Sequence, residues 1–253
     1  MRLIEQFKKE GDFLFRWRSY LPLIIVPFMV LVVFSFGSPL FSDNQYNNVL
    51  IIIALLVGIA GQIVRIWVAG FAPKDTSGRN TFGQQAALLN TSGIYSLCRN
   101  PLYLGNFLMM LSPVILVGNW IFVGLFALGF WLYYERIICA EEAFLSQKFG
   151  ESYTKWCDLT PCFIPQFKHY KKSALSFSLK STLRREYHSL FGLASSLFAT
   201  NLIITAITQI ALGGGQMPLP NGILSAFFVI CLVIYVICRI LVKKTNILCV
   251  ENR

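Results

Sequence analysis

Long apolar runs separated by short polar stretches dominate this chain. A helix needs about 20 mostly apolar residues to cross the hydrocarbon core of a bilayer. The run from 102 to 139 is nearly 40 residues long, too long for one crossing, and Gly118-Asn119 is a turn signal near its middle, which predicts two short antiparallel helices. The other runs are Leu21 to Phe41, Asn48 to Phe71, Leu190 to Leu212 and Gly222 to Val242. The pattern predicts an all-α, polytopic membrane bundle of about six transmembrane helices.

The same pattern divides the chain into four parts. Residues 1–20 mix basic and aromatic side chains at roughly helical spacing, which is typical of an amphipathic segment in the membrane interface. Residues 21–165 form the membrane core, and 166–189 form a basic linker that anionic lipid would attract. Residues 190–253 carry an additional helix pair, and the sequence does not choose between an acyl-chain groove and a dimer contact for it.

Composition and charge support a membrane protein. The chain is 55% apolar and 13% charged, with a mean hydropathy of +0.60. Its formal charge of +10 could suggest nucleic acid, but the basic residues lie between apolar segments without a nucleic-acid-binding motif. Loops 42–47, 118–119 and 213–221 contain no Lys or Arg, so the positive-inside rule places both termini and both long loops in the cytoplasm. The seven Cys are scattered without the spacing of a zinc site, so we predict no metal.

Several basic residues that precede the third apolar region suit an anionic ligand. Arg65 lies in the second apolar run, and Lys74, Arg79 and Arg99 come after it. Guanidinium groups bind carboxylate or phosphate by two parallel hydrogen bonds. The alternative is that Arg65 merely reaches the interface along its own aliphatic stem, and that the loop at 71–83 only caps helices.

A second group of residues combines carboxylates with an aromatic ring. Glu135 and Glu142 are seven positions apart and share one helix face, with Glu141 on the adjacent face. Phe149-Gly150 then predicts a helix end, and Tyr153 follows. A carboxylate beside an aromatic pocket suits a ligand that carries an ammonium group and a flat base. Plain surface charge at the end of a helix is the competing interpretation.

The motifs in these two regions form a pair. The first is G-x-Y-x-x-x-R-[HN]-P-x-Y-x-G, from Gly93 to Gly105, and the second is E-E-x-x-L-x-x-x-F-G-x-x-Y-x-x-[WY], followed by Pro161 and Pro165. Together they resemble the isoprenylcysteine carboxyl methyltransferase and phospholipid methyltransferase superfamily of membrane enzymes, over Arg65 to Pro165. The G-R-N-T loop further resembles bacterial members that methylate the 1-phosphate of lipid A. The resemblance implies a bacterial inner membrane enzyme with its active site at the cytoplasmic face.

The resemblance also implies S-adenosylmethionine as the methyl donor and a membrane lipid or lipidated molecule as the acceptor. Arg65, Arg79 and Arg99 would orient the acceptor. The residues that would bind the cofactor are Gly93, Tyr95, Asn100, Pro101, Tyr103, Gly105, Glu141, Glu142 and Tyr153.

One position departs from the family pattern, because Asn100 stands where members have His. An amide cannot act as a general base near neutral pH, whereas a carboxylate or phosphate oxygen is already ionised and needs none. We therefore expect O-methylation of an anionic group rather than N-methylation of a phospholipid amine. An NADPH-dependent enzyme similar to sterol reductases, which share an R-x-P-x-Y-x-G motif, is a further alternative, as is a transporter or structural membrane protein.

Overall fold

Helices make up all the regular structure that a computed structural model describes, which covers residues 2–38, 44–73, 88–211, 213 and 220–248. Two short 3-10 helices, Leu21–Ile24 and Gly93–Ser96, accompany eight α-helices. These are α1 (Leu3–Trp17), α2 (Ile25–Phe36), α3 (Asn44–Phe71), α4 (Pro101–Leu116), α5 (Trp120–Phe149), α6 (Glu151–Leu159), α7 (Leu179–Ala211) and α8 (Gly222–Lys244). The all-α prediction is confirmed.

Each predicted apolar run corresponds to one α-helix, except the run from 102 to 139, which corresponds to two. Within the described residues, α3, α5, α7 and α8 are long and apolar enough to cross a membrane, while α2 and α4 are shorter apolar helices. The chain is therefore a multi-pass membrane protein. The orientation of its termini stays a prediction.

The turn between α4 and α5 lies where the sequence predicts it. Gly118 has a φ of 77°, a backbone conformation that favours glycine, and the Asn119 side chain accepts a hydrogen bond of 3.0 Å from the Phe122 amide. The prediction of two short helices is wrong for the second one. With no proline in its 30 residues, α5 continues through the polar end of the run until Gly150, where φ is 53°. Glu141 and Glu142 therefore lie in the same continuous helix as the apolar run.

Helix α7 also begins before its apolar run, at Leu179 rather than Leu190. The Ser178 hydroxyl accepts a hydrogen bond of 3.3 Å from the Ser181 amide, which is the pattern of a helix N-cap. The Ser178 amide in turn donates to the Gly70 carbonyl at 3.0 Å. The first turns of α7 are thus tied to the end of α3, and residues 179–189 of the predicted linker are helical.

Small residues allow α3 and α4, the most extensively packed helix pair, to approach closely. The Ser112 hydroxyl on α4 donates to the Ala54 carbonyl on α3 at 2.6 Å. A Cβ atom added to Gly61 would lie 2.7 Å from the Gly105 carbonyl oxygen, which is closer than such atoms come. At the periphery, α1 packs along α5, where Gly11 faces the backbone of Arg136. Close backbone contact between α3 and α4 brings Arg65 next to Gly105, the last residue of the first motif.

We expect Gly61→Ala to destabilise the protein by about 1–3 kcal/mol, because overpacking forces the two backbones apart. The matched control is Gly124→Ala, in the interior of α5, where an added Cβ meets nothing within 4 Å. Alanine has the higher helix propensity, so the control should be as stable as the parent or slightly more stable. Thermal unfolding in detergent measures both. Equal unfolding temperatures for the two variants would contradict this packing.

Candidate functional site

The two motifs meet at one end of the helix bundle. Arg99 and Asn100 lie in the loop that enters α4, and Pro101 is the first residue of that helix. Glu141 and Glu142 lie near the end of α5, and Tyr153 lies in α6. Contacts between these elements, described below, join the ends of α3, α4 and α5 to the start of α7.

Backbone pairing fixes the loop before α4. The Arg99 amide donates to the Pro161 carbonyl at 2.9 Å, and the Asn100 amide donates to the Cys162 carbonyl at 3.2 Å. The Asn100 side-chain amide donates to the same Cys162 oxygen at 3.1 Å. The segment between Pro161 and Pro165 therefore holds the first motif in place.

The turn that precedes this loop is also held by distant parts of the chain. Gly93 has a φ of 62° and donates its amide to the Lys171 carbonyl at 2.8 Å. The Tyr95 carbonyl accepts a hydrogen bond of 3.2 Å from the Trp156 indole of α6. A side chain at Gly93 would be strained by the backbone conformation, which explains the first glycine of the motif.

Arg99 and Glu142 form an ion pair between the two motifs, with Arg99 Nη2 and Glu142 Oε1 3.0 Å apart. The side chains are 16% and 34% exposed. Arg99 Nε and Glu142 Oε1 are both buried, and neither makes an aligned hydrogen bond with the described residues. The ion pair is thus close in distance but leaves hydrogen-bonding capacity on both partners.

Tyr153 lies close to this ion pair. Burial, and secondly the Glu142 carboxylate, raise the pKa of Tyr153 well above its usual range. Its phenol is therefore neutral and able to donate. The Tyr153 ring contacts the Trp156 ring edge-on, with 5.7 Å between centroids, which forms an aromatic surface beside the carboxylate.

A chain of polar contacts runs from Glu141 across the bundle. The Tyr103 hydroxyl interacts with the Glu141 carboxylate. The rings of Tyr103 and Tyr134 lie 4.7 Å apart, and Tyr134 interacts with the Asn106 side chain. On the other side of Glu141, Arg18, the residue that follows α1, approaches to 4.0 Å. The carboxylate that the sequence assigns to the cofactor is thus linked to both α1 and α4.

Arg65 lies at the opposite end of this series of polar contacts from Glu141. Its Nη1 donates to Asn106 Oδ1, and its Nε and Nη2 donate to the two carboxylate oxygens of Glu186 at 2.8 and 3.2 Å. Its Nη2 also donates to the Ser189 hydroxyl at 2.9 Å. A Cβ atom on Gly105 would lie 2.7 Å from Arg65 Cγ, so the arginine stem crosses directly over that glycine.

The structure thus brings together all the predicted site residues that it describes. Arg79 and Lys74 lie outside the described residues, as does the G-R-N-T loop. The residues that gather at this end of the bundle are Arg65, Gly93, Tyr95, Arg99, Asn100, Pro101, Tyr103, Gly105, Glu141, Glu142 and Tyr153.

Sequence reasoning missed the partners that connect these residues. Glu186 lies in the basic linker at 166–189, which the sequence assigns to the lipid surface, and Arg18 lies in the amphipathic segment at 1–20. Asn106 and Tyr134 lie in apolar runs where only a tertiary contact gives them a role. One signal was present: Glu186 is a lone acidic residue among Lys180, Arg184 and Arg185, and Ser189 follows it at the spacing of one helical turn.

The cysteines near the site are reduced. Burial raises the pKa of the Cys98 thiol to about 12, so it stays protonated. Among the residues that the structure describes, no group of three or more His, Cys, Asp or Glu side chains could hold a metal ion.

Comparisons with known proteins identify the same region. A sequence model of the phospholipid methyltransferase family matches residues 49–152. The protein-S-isoprenylcysteine O-methyltransferase of Schizosaccharomyces pombe is 40% identical over 78 residues, which cover 31% of this chain and 33% of that protein. Over this region the chain is similar to membrane methyltransferases of these two kinds.

Further relatives match over longer but more divergent stretches. The Xenopus laevis protein-S-isoprenylcysteine O-methyltransferase is 26% identical over 55% of this chain and 49% of its own length. The cobalt-zinc-cadmium resistance protein CzcN of Cupriavidus metallidurans is 29% identical over 63% of this chain and 69% of its own length. The chain therefore matches less than half of either isoprenylcysteine enzyme. No solved structure matches it.

Proposed function

We propose that this protein is an integral membrane, S-adenosylmethionine-dependent O-methyltransferase that acts on an anionic group of a membrane lipid or lipidated molecule. The observation that carries the proposal is the Arg99–Glu142 pair, because it joins the two family motifs and keeps buried hydrogen-bonding capacity on both side chains. We further propose that the site faces the cytoplasm of a bacterial inner membrane, since the basic residues favour that orientation.

The residues present fit the cofactor. The methionyl part of S-adenosylmethionine carries a carboxylate and an ammonium group, and its adenine is a flat base. Glu142 Oε1 would accept from the ammonium group, while Arg99 Nε would donate to the carboxylate; both atoms lack an aligned partner among the described residues. The rings of Tyr153 and Trp156 offer a surface on which a flat base can stack.

The other residues assigned to the cofactor would form the walls of its pocket and fix their position. Gly93, Tyr95, Asn100 and Pro101 form the loop that the Pro161–Pro165 segment and α6 hold rigidly. On the opposite side, Tyr103 holds the Glu141 carboxylate. Arg99 was expected to orient the acceptor, and its contact with Glu142 puts it next to the residues assigned to the cofactor. We propose that it serves at the boundary between the two ligands.

The bound cofactor would supply an electrophilic methyl group, which passes from sulfur to the acceptor oxygen and leaves a neutral thioether. The residues of this chain then need only to bind and orient the cofactor and the acceptor and to exclude water. Asn100 cannot remove a proton from an ammonium acceptor, and its side-chain amide is used to bind the Cys162 carbonyl. A carboxylate or phosphate acceptor needs no such base, which favours O-methylation over N-methylation.

The names of the relatives support a lipid-borne acceptor. Two relatives are named as O-methyltransferases of isoprenylcysteine, and the family model is named for phospholipids. A prenylated carboxylate and a lipid phosphate share an anionic oxygen at the end of an apolar chain. Lipid A 1-phosphate is one such acceptor, proposed from the G-R-N-T loop at residues 78–81.

Methyl transfer by the purified protein in lipid vesicles tests the proposal. Three acceptors are offered with S-adenosylmethionine carrying a labelled methyl group: S-farnesylcysteine for carboxylate, phosphatidic acid for phosphate, and phosphatidylethanolamine for amine. We expect label in an anionic acceptor. Mass spectra of total lipids from cells with and without the gene should differ by one methyl group on the natural product. Label in the amine alone would contradict O-methylation, and binding of NADPH instead of S-adenosylmethionine would favour the reductase alternative.

We predict that Glu142→Ala weakens S-adenosylmethionine binding by at least about tenfold, because a charge-assisted hydrogen bond contributes about 1.5–3 kcal/mol. Calorimetric titration of purified protein measures the change. Glu151→Ala is the control, since Glu151 pairs with Lys155 on the exposed surface of α6, with its side chain 87% exposed. Equal affinities for Glu142→Ala and the parent would remove Glu142 from the cofactor site.

Arg65→Ala should lower kcat/KM for the anionic acceptor by about ten- to a hundredfold and leave cofactor affinity nearly unchanged. The reason is that Glu186, Asn106 and Ser189 use four of the five N–H groups of Arg65, and the remaining Nη1 N–H can donate a charge-assisted hydrogen bond to an oxyanion. Arg65→Lys should recover only part of the loss, since lysine keeps the charge without the fork. We make the same prediction for Arg79 from its sequence position. Loss of cofactor binding by a folded Arg65→Ala protein would instead extend the cofactor pocket onto α3.

A further inference from the structure

We propose that Glu186 is a positioning residue that acts through Arg65, so that α7, the first helix of the C-terminal pair, completes the methyltransferase site. This inference rests on the proposed function. The family match ends at residue 152, and Glu186 lies in α7, well beyond that limit. It gives the helix pair a role in acceptor binding, beyond the acyl groove or dimer contact that its sequence suggests.

The contact between Glu186 and Arg65 has the geometry of a strong ion pair. Both carboxylate oxygens accept from the guanidinium, at 2.8 and 3.2 Å, in the parallel arrangement that fixes orientation as well as distance. Glu186 is only 5% exposed. The pair therefore holds the guanidinium plane in one orientation, and water competes little for either partner.

The carboxylate itself is held rigidly by the backbone that carries it. The Ser178 amide donates to the Gly70 carbonyl at 3.0 Å, the Ser181 hydroxyl donates to the Ala69 carbonyl at 3.4 Å, and Arg185 donates to the Pro73 carbonyl at 3.4 Å. These contacts tie successive turns of α7 to the end of α3. Glu186 is thus part of a fixed frame, which argues against a carboxylate that swings away to admit a ligand.

The other contacts of Arg65 direct it toward the site. Gly105, one of the predicted cofactor residues, lies under the arginine stem. On the edge away from Glu186, Nη1 donates to Asn106, which interacts with Tyr134, whose ring packs on Tyr103. Glu186 and Ser189 hold one edge of the guanidinium, and Asn106 contacts the edge nearest the cofactor residues.

A purely structural ion pair is the competing explanation, and the two explanations differ in what they predict. Buried ion pairs can often be replaced without loss of the fold, and a structural pair would affect stability alone. A positioning pair must also affect how the acceptor is bound. Separate measurements of the acceptor KM, of kcat and of cofactor affinity therefore distinguish a positioning pair from a structural one.

The experiment uses Glu186→Gln, which keeps the shape and one acceptor oxygen but removes the charge. We expect the KM for the methylated acceptor probe, S-farnesylcysteine or phosphatidic acid vesicles, to rise about tenfold, with cofactor affinity within about twofold of the parent. Glu10→Gln is the matched control. It breaks an ion pair of 2.7 Å with Arg136 between α1 and α5, away from the site, and should leave KM unchanged.

A charge swap, Arg65→Glu with Glu186→Arg, makes the test independent of stability. We expect the swap to recover part of the thermal stability lost by each single variant, because the opposite charges still meet. It should not recover methyl transfer, because the guanidinium then lies on α7. Recovery of both would show a structural pair, and so would unchanged kinetics in Glu186→Gln. Either result overturns the proposal.

A measurement that does not depend on methyl transfer tests this inference separately from the proposed function. Hydrogen exchange at Arg65 Nε, followed by nitrogen-15 NMR and assigned by its loss in Arg65→Lys, should be slow in the parent and at least about tenfold faster in Glu186→Gln. Equal exchange overturns the role of Glu186 even in an active enzyme. Faster exchange in a protein that binds no S-adenosylmethionine would instead uphold the positioning and refute the proposed function.

Discussion

Burying ionised side chains at the end of an apolar helix bundle is possible only when each has a partner, and this constraint organises the structure. An unpaired buried charge costs about 3–5 kcal/mol, as measured by removing one member of a buried pair. Here the pairs join distant parts of the chain: Arg65 with Glu186, Arg99 with Glu142, and Arg18 with Glu141. The pairing requirement therefore determines which helix ends must lie together.

Close approach of the backbones makes these pairs geometrically possible. Gly61 and Gly105 let α3 and α4 approach closely, so the Arg65 stem lies over α4 and its guanidinium meets Asn106 and Glu186. At the other side of the site, the Pro161 and Cys162 carbonyls accept hydrogen bonds from the backbone amides of the loop before α4. Apolar packing sets the distances between helices, and the polar contacts then select one arrangement within them.

The sequence predicts the helices well because apolar runs and breakers such as Gly118 act locally. It underestimates the lengths of α5 and α7, because the polar end of each helix lies outside its apolar run. The candidate site follows from the paired motifs, since their residues are adjacent along the chain. Glu186 and Asn106 could not be found in this way, because their roles depend on contacts with Arg65 across 121 and 41 positions.

Charge balance gives a further reason to favour an anionic acceptor. In each of the three ion pairs the positive charge of an arginine is balanced by a glutamate without any ligand. S-adenosylmethionine carries one carboxylate, one ammonium group and one sulfonium, and so would bring a net positive charge into surroundings where unbalanced charge is costly. A carboxylate or phosphate acceptor offsets that charge, whereas an ammonium acceptor would add to it. The charge balance within these three ion pairs therefore supports O-methylation independently of the residue at position 100.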